Sequence, residues 1–295
     1  MKRVTAIGEI LWDIYPDKKR LGGAPFNFIY NVWKILGSSD FISNVGNDEN
    51  GKEMLSHLSS IGFDISAISI DDIHPTGTVK VELDDNKIPH FKISFECCFD
   101  HLRLNDVSRN IFENETDILY FGTFTARKGV SRQTLLSLLN REDKKYFCDL
   151  NLRHNFYSKE LIGEILQTCN VIKINQDELD KLKLFFGLEK ENDKAIQQLF
   201  SKLNLELIGL TLGENGAVLF TRTENNFYKP GDIKVIDTLG AGDAFASIMC
   251  LGYLRNLQLA DINKYANEFA AEICMIQGAL PEDDTIYNKY RKIFS

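Results

Sequence analysis

Nowhere does the sequence contain the G-x-x-x-x-G-K-[ST] pattern, so a P-loop is excluded as its means of holding nucleotide phosphates. No G-x-G-x-x-G follows the first strand-like run, which counts against a dinucleotide-binding dehydrogenase. No apolar run approaches the ~18 residues a membrane helix needs. The opening Met-Lys-Arg-Val-Thr-Ala-Ile-Gly-Glu-Ile lacks the long apolar core and cleavage site of a signal peptide, and reads as a strand. The cysteines, Cys97, Cys98, Cys148, Cys169, Cys250 and Cys274, show no C-x-x-C spacing and lie mostly in apolar runs. They read as buried free thiols in a reducing cytoplasm rather than as a metal site. The five histidines are scattered without helical partners and receive no role. Positive charge is also short: 34 Lys and Arg against 42 Asp and Glu leave a formal charge of −8. That argues against a nucleic-acid-binding surface. It leaves room for a nucleotide, because backbone N–H groups and a metal ion hold phosphate in acidic proteins.

What is present suits a globular protein, with 44% hydrophobic and 26% charged residues over 295 positions, room for one large domain or two smaller ones. Short apolar runs alternate with helical patterns, the signature of a doubly wound, mainly parallel sheet. Strands are expected at Val4–Ile10, Phe41–Val45, Ile118–Phe121, Tyr146–Leu150, Val171–Ile174, Leu207–Leu212 and Ala217–Phe220. Helices are expected at Pro25–Leu36, Lys52–Ile61, Ser131–Leu139, Ser158–Gln167, Gln176–Phe185 and Asp193–Leu203. Two long helices, near Gly242–Arg255 and Ala260–Gln277, close the pattern. Thr76–Phe95 breaks it with two period-two runs about the polar turn Asp84–Lys87, a hairpin inserted into an α/β chain. Such a hairpin is either an edge decoration or a lid that keeps water from the chemistry. With no linker, repeat or low-complexity segment, the expectation is a single domain over 1–295, with an inserted β lid at about 76–98 and a second candidate lid segment at 12–21.

The most informative stretch is Asp237-Thr-Leu-Gly-Ala-Gly-Asp-Ala-Phe245, with an apolar helical pattern beginning inside it. Glycines admit a sharp turn and a close ligand, and a helix starting there points free N–H donors and its positive end into the turn. That makes Gly240, Ala241 and Gly242 an anion site. A carboxylate beside it, Asp243, suits a base that deprotonates a hydroxyl attacking phosphorus. The plainer alternative is a glycine loop capped by Asp. Asp13 follows the first strand, and Asn27 follows Gly22 and Gly23; both would reach the crevice where α/β sheets bind ligands, or Asp13 simply starts a turn. Arg153, in Asp149-Leu-Asn-Leu-Arg153, can bridge a transferring phosphate or form a surface ion pair. Asn175-Gln-Asp-Glu178 is a helix capping box or a pair of magnesium ligands. Thr211-Leu-Gly213-Glu-Asn-Gly216 reads as a hairpin turn.

Asp237–Phe245 also resembles the C-terminal signature of the ribokinase/PfkB carbohydrate kinases, Asp-Thr-x-Gly-Ala-Gly-Asp-x-Phe. The resemblance runs over roughly residues 4 to 281. Its closest likeness is to the bacterial fructokinase-like branch, through Tyr120-Phe-Gly-Thr, Asp149-Leu-Asn-Leu-Arg and Lys173-Ile-Asn-Gln-Asp-Glu-Leu. It implies a ribokinase-like fold and an ATP- and magnesium-dependent kinase acting on a primary hydroxyl, with D-fructose as acceptor. It further implies that Asp13, Gly22, Gly23 and Asn27 bind the sugar, and that Asn175 and Glu178 help hold magnesium, often through water. Thr211, Gly213, Gly216, Thr238, Asn267 and Ala271 would contact the nucleotide, and a monovalent cation such as K+ would sit near Asp237. Cytoplasmic location, a homodimer through the lid, and no nucleic-acid or membrane partner complete the expectation. Two departures stand out: Glu96-Cys-Cys-Phe-Asp100 replaces a segment usually made of small residues, Trp and Asp, and Leu239 stands where ribokinases have Thr. Other acceptors (a keto-deoxy acid, ribose, a nucleoside, or a sugar phosphate met by Lys18, Lys19 and Arg20) remain open, as does a non-catalytic regulator that binds sugar or nucleotide.

Overall fold

The structure, a computed structural model, describes residues 2–15, 18–83, 89–93, 96–153 and 156–294, with backbone alone for 81–83 and 89–93. The turn expected at Asp84–Lys87, and Ser94–Phe95 at the end of the hairpin, lie outside the described residues.

The chain begins with β1 (Val4–Ile7), which pairs in parallel with β4 (Asp40–Gly46) on one side and β8 (Ile118–Gly122) on the other. Beyond β8 the sheet continues through β9 (Lys145–Asp149), β10 (Val171–Asn175) and β11 (Leu207–Thr211), all parallel. Two antiparallel strands, β12 (Ala217–Phe220) and β13 (Asn225–Tyr228), finish that side, and β5 (Ile68–Asp71) flanks β4 on the other. The order across these nine strands is β13-β12-β11-β10-β9-β8-β1-β4-β5.

Helices cover both faces, because strands buried on each side must bury both sets of alternating side chains. Val4, Ala6, Ile118 and Tyr120 point to one apolar layer with α1 (Ala24–Leu36), α2 (Glu49–Ser60), α8 (Ala241–Leu254), α9 (Leu259–Cys274) and α10 (Asn288–Phe294). Ile7, Leu119 and Phe121 point to the other. That second layer contains α3 (Asp106–Asn114), α4 (Gly129–Leu138), α5 (Lys159–Thr168), α6 (Gln176–Phe186) and α7 (Asn192–Lys202). Phe28 of α1 stacks on Tyr120 with centroids 3.5 Å apart, locking that helix over the sheet centre.

A second sheet, order β3-β2-β6-β7, is built from β2 (Leu11–Ile14), β3 (Lys19–Gly22), β6 (Thr78–Leu83) and β7 (Pro89–Ile93). The hairpin expected at Thr76–Phe95 is therefore present as β6 and β7, joined by the 12–21 segment. The first strand expected over Val4–Ile10 stops short. β1 ends at Ile7, and the chain leaves the large sheet at Gly8, where a Cβ would lie 2.5 Å from Thr125 Oγ1 and 2.6 Å from Pro25. Leu11–Ile14 then belong to the small sheet. Continuous hydrophobicity across Gly8 hid that change of sheet.

Candidate active site

The helix α8 starts with no side-chain cap. Gly240, at φ +79, turns the chain into it, and a Cβ there would lie 2.6 Å from both Cα and Cβ of Ala279. The carbonyls of Thr238 and Gly240 take the N–H groups of Ala241 (3.3 Å) and Ala244 (2.9 Å). The intervening donors at Gly242 and Asp243 face outward, at the positive end of a fourteen-residue helix. Asp243 stands in that first turn, and its Oδ2 accepts a hydrogen bond of 2.8 Å from Asn27 Nδ2. Asn27 sits one turn into α1, and its remaining amide oxygen is buried without a hydrogen-bond partner. Burial, reinforced by the nearby charge of Asp149, raises Asp243 from the usual carboxylate range to about 7, against the pull of Asn27, Lys173 and Arg153.

A buried ion pair lies beneath the turn. Lys173 of β10 and Asp149 of β9 are register partners, and the ammonium binds both carboxylate oxygens at 2.9 and 3.0 Å. Tyr120 donates to the same carboxylate at 3.3 Å. A Cβ on Gly242 would lie 3.1 Å from Lys173 Nζ, so the glycine leaves the ammonium room against the turn. Burial works against that charge, but Asp149 and Glu178 hold the Lys173 ammonium above its ordinary value.

Two more buried carboxyls lie on the small-sheet side, and one of them, Glu9, feels the charge of Asp243. Asp13 of β2 is buried under Gly22, where any Cβ would strike its Oδ2. Burial raises it to about 6, opposed by Arg153. Glu9, between β1 and β2, is raised to about 7, chiefly by burial and then by Asp243. A Cβ on Gly23, at φ +109, would strike the Glu9 carbonyl oxygen. Arg153 is exposed in the β9–α5 connection, and its charge lowers all three carboxyls.

The remaining expected positions lie along the strand ends toward β12. Asn175 and Glu178 form a complete capping box: Asn175 Oδ1 accepts from the Glu178 N–H and Glu178 Oε2 from the Asn175 N–H, each at 2.9 Å. Glu178 Oε1 also takes the Leu152 N–H at 2.9 Å. Both carboxylate oxygens are thus already engaged, and no cluster of three His, Cys, Asp or Glu suited to a metal occurs among the described residues. Thr211 is the register partner of Asn175, and the turn beyond it places Gly213 and Gly216 at positive φ. Gly216 packs so closely on the Tyr228 carbonyl that no Cβ fits. Asn267 is buried, and its amide donates at 2.8 Å to both Asn263 O and Oδ1. Asn263 in turn holds the carbonyls of Ala217 and Asn226. That amide serves the packing of α9 on β12 and β13; Ala271, one turn on, is half-buried.

Asp243 and Asn27 are therefore joined directly at the start of α8, Asp13 packs under Gly22, and the charge of Arg153 reaches both carboxyls. Asn175 and Thr211 are register partners, with the Gly213 and Gly216 turn just beyond them. Sequence reasoning missed Glu9, Lys173 and the pairing role of Asp149. A lysine inside the apolar run Val-Ile-Lys-Ile was the available signal, since an unpaired cation is not left in a parallel strand.

The doubly wound sheet with helices on both faces and a small second sheet has the ribokinase-like fold, superposing on a ribokinase of Thermotoga maritima with a TM-score of 0.76 over 99% of this chain. The chain is a member of the pfkB family of carbohydrate kinases: the family model described as "pfkB family carbohydrate kinase" matches residues 4–285. An uncharacterized sugar kinase of Pyrococcus horikoshii is 26% identical over 99% of this chain and 97% of its own. Its crystal structure superposes with a TM-score of 0.83, covering 99% of both chains, and its complex with ATP with a TM-score of 0.79. An ATP-dependent 6-phosphofructokinase of Thermoanaerobacterium thermosaccharolyticum is 28% identical over 97% of this chain and 93% of its own. A fructokinase of Escherichia coli is 26% identical over 85% and 84%.

Proposed function

We propose that this carbohydrate kinase transfers the γ-phosphoryl group of ATP to a primary hydroxyl of a neutral sugar, D-fructose before others. The observation that carries the reading is the Asn27–Asp243 contact at the uncapped start of α8, which joins a half-buried base to a set of free N–H donors. Asp243 takes the proton of the hydroxyl, the oxygen attacks the γ-phosphorus in line, and the bond to the ADP oxygen breaks. The free N–H groups at Gly242 and Asp243 stabilise the charge on the transferring group, the Ala241 N–H expected to join them being held by the Thr238 carbonyl, with Arg153 approaching from the open side. Asp13 and the free Asn27 oxygen accept from other hydroxyls, while Gly22 and Gly23, expected to touch the sugar, instead let Asp13 and the Glu9 backbone pack close.

The nucleotide lies toward Thr211, Gly213, Gly216 and Thr238, with its base toward Ala271; the relative from P. horikoshii has been crystallised with ATP. Asn175 and Glu178 suit magnesium held through water, since their direct donors are spent on each other and on Leu152. When bound, magnesium neutralises charge on the phosphates. The small sheet serves as a lid over the acceptor end, and its edge strands β3 and β7 are open to a second copy of the chain. Sedimentation at micromolar concentration tests that dimer, and a monomer there contradicts it.

Identity does not choose the acceptor, because a phosphofructokinase and a fructokinase match almost equally well. The lid does favour a neutral sugar. Lys18 and Arg20, candidates for a sugar phosphate, are both bound to Gln277, and Lys19 to Glu53 while lying over Trp12. Turnover with ATP and magnesium, followed by coupled ADP release, decides among fructose, ribose, a keto-deoxy acid, a nucleoside and fructose 6-phosphate. The highest kcat/KM should fall on fructose; a maximum on fructose 6-phosphate, or no turnover at all, contradicts the reading.

A further inference from the structure

We propose that Glu9 is the substrate-binding residue that selects a neutral sugar: its carboxylate accepts a hydrogen bond from a sugar hydroxyl and rejects acceptors carrying negative charge at that end. The proposal rests on the neutral-sugar reading above and names the residue that enforces it.

Glu9 occupies the crossing from β1 to β2, where the chain passes from the large sheet to the small one. Its backbone is fixed from both sides: Gly8 is packed against Thr125 and Pro25, and Gly23 against the Glu9 carbonyl. The residue is 5% exposed, yet its carboxylate has little to bind. Its partners are its own backbone N–H and Thr125 Oγ1 at 3.5 Å, a long contact for a charge-assisted bond. Buried carboxylates ordinarily collect several short hydrogen bonds. Asn27 adds a buried oxygen with no donor, and its amide is bonded to Asp243. A carboxylate held by one long contact and its own N–H, together with that unpaired amide oxygen, matches a ligand bearing several hydroxyls.

The surrounding charge sets the exclusion. Glu9, Asp13 and Asp243 affect one another or share Arg153 as counter-charge, and Arg127, which also faces Glu9, is bound bidentately by Asp100 at 2.6 and 2.7 Å. A phosphate or carboxylate on the acceptor would enter a poorly solvated space already holding three acids. A neutral polyol meets no such repulsion and supplies the missing donors.

The test compares wild type with Glu9→Gln, which keeps the shape and removes the charge, and with Glu9→Ala. For Glu9→Gln we expect KM for D-fructose to rise by about 10- to 100-fold, the range for losing a hydrogen bond to a charged group. KM for ATP should hold, kcat should change by less, and kcat/KM for fructose 6-phosphate relative to fructose should rise at least about tenfold. Should Glu9→Ala fail to fold, the isosteric variant still decides. A folded Glu9→Gln enzyme with unchanged sugar KM and unchanged discrimination would overturn the proposal alone. Sugar and ATP KM rising together would also overturn it, in favour of a structural role. A wild-type enzyme that prefers fructose 6-phosphate to every neutral sugar would overturn both this proposal and the reading beneath it.

Discussion

Asp243 combines two properties that ordinarily conflict, ionisation and burial. Its carboxyl is raised to about 7, so in the free enzyme a substantial fraction is protonated near neutrality. Because a base must be unprotonated, kcat/KM should climb about tenfold per pH unit below that value and level off above it; a profile flat from pH 5.5 to 8 would remove Asp243 from the role. The same shift bears on stability. The unfolded aspartate titrates near ~3.9, so the native state holds the proton more tightly, and stability present at low pH is lost as pH rises toward about 7. Glu9 is displaced in the same direction, also to about 7. Asp243→Asn should therefore melt above wild type at pH 8, with the gain shrinking toward pH 4. Thermal unfolding at the two pH values checks this, and a larger gain at the acidic end contradicts it. Asp243 was legible as a residue because its glycines and helix start lie within nine consecutive positions. Glu9 was not, since nothing local distinguishes a buried glutamate from a solvated one.

Among the elements, β9 and β10 show what register contributes. Parallel pairing places Asp149 beside Lys173 across a sequence separation of 24, and the pair closes under the Gly242 turn. Lys173→Met leaves a buried carboxylate unpaired and should cost about 3–5 kcal/mol in urea unfolding, while adding Asp149→Leu should restore most of the loss. Equal destabilisation in single and double variants would mean that packing, not charge, is at stake. Gly240→Ala meets both a positive φ and the backbone of Ala279, so a loss of about 1–3 kcal/mol is expected. Most helices and the central strands were legible from period and caps, because each buries a continuous stripe. The strands Ile68–Asp71 and Asn225–Tyr228, the helix Asp106–Asn114 and the final Asn288–Phe294 were not, whereas Leu11–Ile14 and Lys19–Gly22 overlap the 12–21 segment expected as a candidate lid. Asn267 was read as a nucleotide contact from its place in a family pattern, whereas its amide is committed to Asn263.

Across the whole molecule, the small sheet is tied to the Gly240–Gly242 turn by a short chain of contacts. Arg20 of β3 donates to the Gln277 carbonyl, the Gly278 N–H donates to Asp237 at 2.9 Å, and Ala279 backs onto Gly240. The small sheet and the start of α8 are thus held in one arrangement from opposite ends of the sequence. Arg20→Ala should loosen it, raising the sugar KM by about two- to tenfold, the worth of one hydrogen bond, and increasing ATP hydrolysis in the absence of sugar. ADP release without acceptor reads the second effect, and an unchanged background rate would count against the lid as a barrier to water.

The most direct measurement is kcat/KM for D-fructose, with saturating ATP and magnesium, in wild type and in Asp243→Asn at pH 8. The account predicts turnover in the wild type and a loss of at least about 10²–10⁴-fold in a variant that remains folded and binds ATP. A folded Asp243→Asn enzyme with near-wild-type turnover would contradict the assignment of the base, and with it the mechanism built on the Gly240–Asp243 turn.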